Sequence, residues 1–173
     1  MLIQLWSLTL MWKTAVILTA LVSLSIAKAS TIYIGGGESI LNSLSDPKGR
    51  SYQIDQSSNI NKFGKHWSGG PDLGYLNLGH QDGLKTDGIF GLYVFSDRFG
   101  SIGTFGGAGP YLSATTVPLG NGDYRDQYGV SLMTTAGIKY YAAHWRLRFS
   151  WERLTTWRNL DEDVILLSLG RKL

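Results

Sequence analysis

From His144 to Thr155 the side chains sort onto two opposite faces. Trp145, Leu147, Phe149 and Trp151 fall on one side, and His144, Arg146, Arg148, Ser150 and Glu152 on the other. Neighbouring side chains of a strand point to opposite faces, so this pattern predicts a strand with one apolar and one charged surface. A soluble strand rarely sets two arginines opposite two tryptophans within eight residues. Apolar and aromatic on one face with charge on the other suits a strand between lipid and the polar interior of a small membrane barrel.

The N-terminus predicts export. Residues 15–27 are apolar apart from Thr and Ser, Lys13 precedes them, and Ala27-Lys28-Ala29 followed by Ser30 reads as a small-x-small cleavage site. The apolar run is too short to span a bilayer, so residues 1–29 are expected to be a secretory signal peptide and 30–173 one domain. Lys13 and Lys28 leave with the signal. The mature chain then holds 14 basic and 13 acidic residues, a balance with no electrostatic footprint for nucleic acid. The chain has no cysteine, and no apolar run outside the signal is long enough for a spanning helix. The mature chain therefore crosses a membrane as a barrel or not at all.

Eight strands are expected, near 31–38, 51–56, 72–79, 88–95, 99–113, 128–141, 144–155 and 163–173. The second is the weakest. The fourth is apolar on both faces, which also fits a buried strand of a soluble protein. Glycines 100, 103, 106, 107 and 109 would let the fifth coil as a small barrel requires. The sixth alternates well, with Tyr128, Val130, Leu132, Ala136, Ile138 and Tyr140 on one face. In the eighth, Ile165, Leu167 and Leu169 face outward until Arg171. The connections at 96–98 and 142–143 are tight, whereas 114–127 is long and polar. With both termini in the periplasm, short turns fall on that side and long loops outside. The segment 57–71 breaks the rule, being too long for a periplasmic turn. The expected fold is all-β: an eight-stranded antiparallel up-and-down transmembrane β-barrel.

Chemistry-bearing residues are sparse. His66 lies in the unassigned 57–71 segment, and His144 at a turn reads as a structural residue. His80 ends the third strand with Asn77, Asp82 and Asp87 nearby, a placement open to two readings. It is either an oriented general base or part of a polar turn made by Asp82-Gly83. No metal-ligand spacing appears; the acids Asp161, Glu162 and Asp163 read as solvated, so no cofactor or metal is expected. The runs at Gly35-Gly36-Gly37 and Gly106-Gly107 lack the strand-to-helix setting of a phosphate loop, and no G-x-S-x-G elbow occurs.

The signal, strand count and length, with Gly106-Gly107-Ala108-Gly109-Pro110-Tyr111-Leu112-Ser113, the 75–88 segment and the stretch from Arg148 to the C-terminus, resemble the lipid A 3-O-deacylases. These are outer-membrane acyloxyacyl hydrolases of Gram-negative bacteria. The resemblance implies an eight-stranded outer-membrane barrel, lipid A as a partner, and an esterase site on the outer surface at lipid level. The family carries its catalytic residues in a Phe-Ser-His-x-Ser-Asn pattern on the seventh strand, with an acid on the eighth. Phe149-Ser150 match, but Trp151 stands at the His position, Arg153 at the Ser position and Leu154 at the Asn position. Asp163 falls near the acid position. Trp can neither accept nor relay a proton and Arg is no nucleophile, so the chemistry is either lost or moved. If it moved, His80 and Asp87 beside Asn77 supply the base, Ser113 the candidate nucleophile and Asp163 a retained acid. The other two expectations are a non-catalytic structural or adhesive barrel using the 114–127 loop, and a soluble secreted barrel binding an apolar ligand.

Overall fold

A computed structural model describes residues 30–42, 48–81, 83–119, 122–156 and 161–173. The expected signal peptide lies outside the described residues. Nine strands follow in order: β1 (Ser30–Leu41), β2 (Lys48–Ser58), β3 (Asn61–Phe63), β4 (Trp67–Gln81), β5 (Leu84–Phe99), β6 (Ile102–Pro118), β7 (Tyr124–Tyr141), β8 (Trp145–Thr155) and β9 (Glu162–Lys172). Each long strand pairs antiparallel with its sequence neighbour. β1 also pairs with β9, and β2 with β4, so eight strands close into an up-and-down barrel. The ninth, β3, is a three-residue addition along the lower end of β4.

The β8 pattern survives intact. Trp145, Leu147, Phe149 and Trp151 are 49, 44, 49 and 40% exposed on the outside, whereas Arg148, Ser150 and Glu152 are 2, 0 and 2% exposed in the lumen. β7 and β9 follow the same rule, with Tyr128, Val130, Leu132, Ile138 and Tyr140, and Ile165, Leu167 and Leu169, all outward. The doubly apolar β5 serves two surfaces. Phe90, Leu92 and Val94 point inward, while Ile89, Tyr93 and Phe95 join the outer belt.

An eight-stranded barrel is just wide enough for side chains to fill it. Leu76, Leu78, Phe90, Leu92, Tyr111, Met133, Leu154, Val164 and Leu166 form one apolar cluster inside. Below it, toward the chain termini, lies a charged layer. Arg148 donates to both oxygens of Asp55 and, at 3.3 Å, to Asp72, and its guanidinium lies 4.1 Å from the Tyr33 ring centre. Lys139 enters the same layer, 4.5 Å from the centre of the Phe105 ring. Above the cluster, Gln81 donates to Glu162 at 2.7 Å and to Ser39 at 2.8 Å, and Ser39 donates to the Leu78 carbonyl. These packed layers occupy the space that an apolar ligand would need inside.

Three expectations about connections change. The 57–71 segment is no loose turn: β2 runs on to Ser58, β3 pairs Asn61–Phe63 with the start of β4, and β4 begins at Trp67. The expected 114–127 loop is mostly ladder, paired from Ala114↔Tyr128 to Pro118↔Tyr124. Its polar residues satisfy each other across the strands, as Thr116 does by donating to Asp126 at 2.8 Å. The β4–β5 connection, placed at the long-loop end, is tight, because pairing continues to Gln81↔Leu84. A bulge makes this possible. The register shifts between Asn77 and Gly79, where Gly79 takes φ +80° and the Asn77 side chain accepts its N–H at 2.9 Å.

The barrel is uneven in height. β8 meets β7 only as far as Thr155↔Leu132, whereas β6 follows β7 up to Tyr124. The upper β6–β7 hairpin therefore extends about eight residues, roughly 25 Å measured along the strand, beyond the β8 rim.

Candidate functional site

The resemblance directs attention first to the outer face of β8 and β9 near the loop end. Alternation puts Trp151 and Arg153 outward on β8, and the pairing Arg153↔Asp163 brings the acid beside them. The three residues do meet. Trp151 Nε1 donates to Asp163 Oδ1 at 3.1 Å, and Arg153 Nη1 reaches Asp163 Oδ2 at 3.4 Å. Asn42, at the end of β1, donates to Asp163 Oδ2 at 3.1 Å. Arg153 Nη2 also pairs with Asp161 at 3.0 Å, and Asp161 accepts the Thr156 N–H. Both Asp163 oxygens are thus held by donors, and all its partners are donors rather than bases. Such a carboxylate ties β8, β9 and the end of β1 together. Among the described residues it has no imidazole to orient and no hydroxyl bonded to it to activate.

The second constellation is divided by the barrel wall. Asn77 and Asp87 are paired residues on β4 and β5, both on the outer face. Tyr75 donates to Asp87 Oδ2 at 2.8 Å, and Asn77 contacts the Tyr75 hydroxyl at 3.4 Å. The Tyr52 ring covers this group, its centre 6.4 Å from that of Tyr75. His80 sits beyond the bulge, paired with Lys85 and exposed to solvent, and no described side chain is hydrogen-bonded to its imidazole. Ser113 pairs with Gly88 and Gly129 on the inner face, with its hydroxyl 3.5 Å from the Gly129 carbonyl. Asp87 and Ser113 therefore lie on adjacent strands but opposite faces. Of the residues proposed from sequence, the structure joins Asn77 with Asp87 and Asp163 with Trp151 and Arg153. It does not join His80, Asp87 and Ser113 into one site. Asp82 lies outside the described residues.

The other two histidines stand apart from both groups. His66 stacks on Phe99, with ring centres 5.4 Å apart, in the turn between β3 and β4. His144 is exposed in the β7–β8 turn, and its carbonyl accepts the Lys172 N–H. Among the described residues no group of three His, Cys, Asp or Glu side chains is placed to hold a metal ion.

Sequence reasoning missed the buried charge layer of Arg148, Asp55 and Asp72. A signal existed. Arg148 was assigned to the inward face, and an inward arginine in a barrel requires inward acids on other strands. Asp55 and Asp72 stand on the second and third strands, whose alternation is the poorest, so their facing could not be read with the same ease.

No family model and no curated protein matches the sequence. Solved structures do. Neisserial surface protein A, NspA, has a TM-score of 0.64 at 17% identity, over 83% of this chain and 97% of that one. Ail, the attachment invasion locus protein of Yersinia pestis, solved with the heparin analogue sucrose octasulfate, has 0.59 at 14%, over 83% and 97%. The outer membrane enzyme PagL has 0.54 at 14%, over 83% and 99%. At these identities the likeness is one of fold, and the likeness to an enzyme is one among several. The chain has the eight-stranded antiparallel barrel fold that these proteins share.

Proposed function

We propose that this protein is an integral outer-membrane barrel that contacts outer-leaflet lipid and does not hydrolyse it. One observation carries the reading. At the position where the lipid A deacylases keep their base and nucleophile, Trp151, Arg153 and Asn42 donate to Asp163, and the group forms a closed clamp between strands. The lipid half of the reading rests on the outer belt of Ile, Leu, Val, Phe, Tyr and Trp, which is larger than the apolar patches soluble monomers expose. The filled lumen argues against a channel and against an internal ligand.

Two measurements test the reading. After fractionation of cells the protein is expected in the outer membrane and to be extracted only by detergent. Purified lipid A incubated with the barrel in micelles is expected to keep all its ester-linked chains by mass spectrometry. Loss of an acyl chain in step with enzyme concentration overturns the non-hydrolytic reading, and His80, Asp87 and Ser113 then become the residues to substitute first.

An adhesive role is favoured by a separate feature. The raised β6–β7 hairpin exposes Tyr124 and Tyr128, at 69 and 77%, on a strand edge that β8 does not cover. Shortening that hairpin while keeping the barrel intact is expected to abolish any cell-surface attachment the protein confers.

A further inference from the structure

The two ends of the barrel differ in charge. At the loop end acids accompany the bases: Lys48 pairs with Glu38 and Arg153 with Asp161 and Asp163, while Arg50, Lys85 and Arg125 share that end with Asp87, Asp123 and Asp126. The end that carries Ser30 and Leu173 holds Lys62, Lys65, Arg98, Arg146, Arg171 and Lys172, and none of these six makes an ion pair among the described residues. The acid at that end, Asp97, is 6% exposed and accepts the Arg98 N–H.

These cations are set among aromatic rings. Arg98 and Arg146 lie over the Tyr141 ring, 4.5 and 4.9 Å from its centre, and Arg171 lies 6.0 Å from that of Trp145. On the opposite side, β3 lays a second aromatic patch over the outer surface. Phe63 packs on Phe95 and Phe95 on Tyr93, with centres 5.8 and 5.0 Å apart, and Asn61 donates to the Tyr93 hydroxyl at 2.8 Å. Gly69 permits this, because a Cβ there would press on the Phe63 and Tyr93 rings at 3.2 Å. Lys62 and Lys65 flank the patch, both exposed. Aromatic rings with an apolar body and a wet rim settle at the headgroup level of a bilayer, and lysines beside them reach outward to phosphate.

We infer that this basic and aromatic collar binds anionic phospholipid headgroups in the periplasmic leaflet, with Lys62, Lys65 and Arg171 as the outer contacts. The inference rests on the outer-membrane reading, which sets the collar at that leaflet. Lipid is favoured over an acidic protein because Lys62, Lys65 and Arg171 stand beside the exposed rings Phe63, Trp67 and Trp145 of the outer surface, which a soluble partner would leave wet, whereas Arg98 and Arg146 stack on Tyr141 at the inner mouth.

The test uses the mature barrel in micelles containing equal amounts of phosphatidylglycerol and phosphatidylethanolamine, with lipid retention read by native mass spectrometry. The parent is expected to retain the anionic lipid at least about fivefold over the zwitterionic one. The preference is expected to fall to near unity in the Lys62→Gln/Lys65→Gln/Arg171→Gln variant and to persist in Lys48→Gln/Arg50→Gln. It is also expected to fade in the parent as salt shortens the screening length, a measurement that needs no variant. Equal retention of the two lipids by the parent, or a preference that survives the collar substitutions, overturns the inference. So does binding of polyglutamate with no lipid preference, which would assign the collar to an acidic protein. Heat-modifiable folding into liposomes is scored separately. A chain that folds there with no headgroup preference refutes the collar alone, and one that never enters lipid refutes the outer-membrane reading as well.

Discussion

Replacing Arg148 with Met tests the buried charge layer. The side chain is 2% exposed and bonds Asp55 and Asp72, whose own side chains are 0 and 4% exposed. Met keeps much of the volume but leaves two carboxylates in the lumen without their guanidinium. Removing one partner of a buried ion pair costs about 3–5 kcal/mol, chiefly because the charge left behind is neither solvated nor paired. The penalty should therefore vanish when the orphaned acids go too. Arg148→Met/Asp55→Asn/Asp72→Asn is expected to recover more than half of the loss, although it keeps neither of that layer's ion pairs. The assay is guanidinium unfolding of the barrel in lipid vesicles, followed by tryptophan fluorescence and by heat-modifiable mobility on gels. A single variant within about 1 kcal/mol of the parent, or a triple variant no better than the single, would refute the reasoning.

The family site gives a second prediction. Trp151→His/Arg153→Ser releases Asp163 from two donors and supplies the missing base and hydroxyl. Deacylation of lipid A is expected to rise above the parent, while His80→Ala leaves the parent unchanged; parent activity lost in His80→Ala would place the chemistry there instead. On the lipid face, Phe149→Arg is expected to destabilise the barrel by about 2–4 kcal/mol in the same unfolding assay. Among glycines, Gly137→Ala should block folding, because its Cβ would overlap the Phe149 carbonyl and the Phe105 ring; Gly106→Ala, with its nearest neighbour at 3.6 Å, should be close to neutral. Amino-terminal sequencing of membrane-extracted protein is expected to begin at Ser30, and retention of Lys13 would overturn the proposed export route.

The fold could be read where the two faces of a strand meet different media. β7, β8 and β9 carry exposed apolar residues outside and polar or packed groups inside, so burial and polarity alternate with the pleat. The signal fades on β2 and β4 for two physical reasons. β4 carries a bulge at Asn77/Gly79 that shifts the alternation by one residue beyond it, so that His80 faces out and Gln81 in. β2 is polar on its inner face, and on its outer face Gln56 and Ser58 are buried where exposed apolar residues would be expected. Strand ends were drawn short for a related reason. Beyond the apolar belt both faces of a hairpin are polar, so Lys85, Thr86, Thr115 and Thr116 look like loop residues although their backbones remain paired.

The candidate sites show what alternation can and cannot deliver. It put Trp151, Arg153 and Asp163 on one surface, because within a strand residues of one parity share a face and the odd-numbered rows of β8 and β9 are the exposed apolar ones. Parity alone also separates Ser113 from Asp87. Ser113 belongs to the odd-numbered row of β6 that includes Phe105 and Tyr111 and points inward, whereas Asp87 belongs to the odd row of β5 with Ile89 and Tyr93 and points outward. Nearness in sequence and at one end of the barrel suggested a cluster, but a wall of backbone stands between its members. The same reasoning applied to charge leads further. An inward Arg148 at the terminal end is matched across the lumen by acids on β2 and β4, and an outward Arg153 at the loop end by acids on and just before the neighbouring β9, so each group holds the barrel together. At the terminal end Arg98 and Arg146 are held by backbone carbonyls and the Tyr141 ring, whereas Lys62, Lys65 and Arg171 face outward with no acid beside them among the described residues, and these three are the cations the proposed headgroup contact uses.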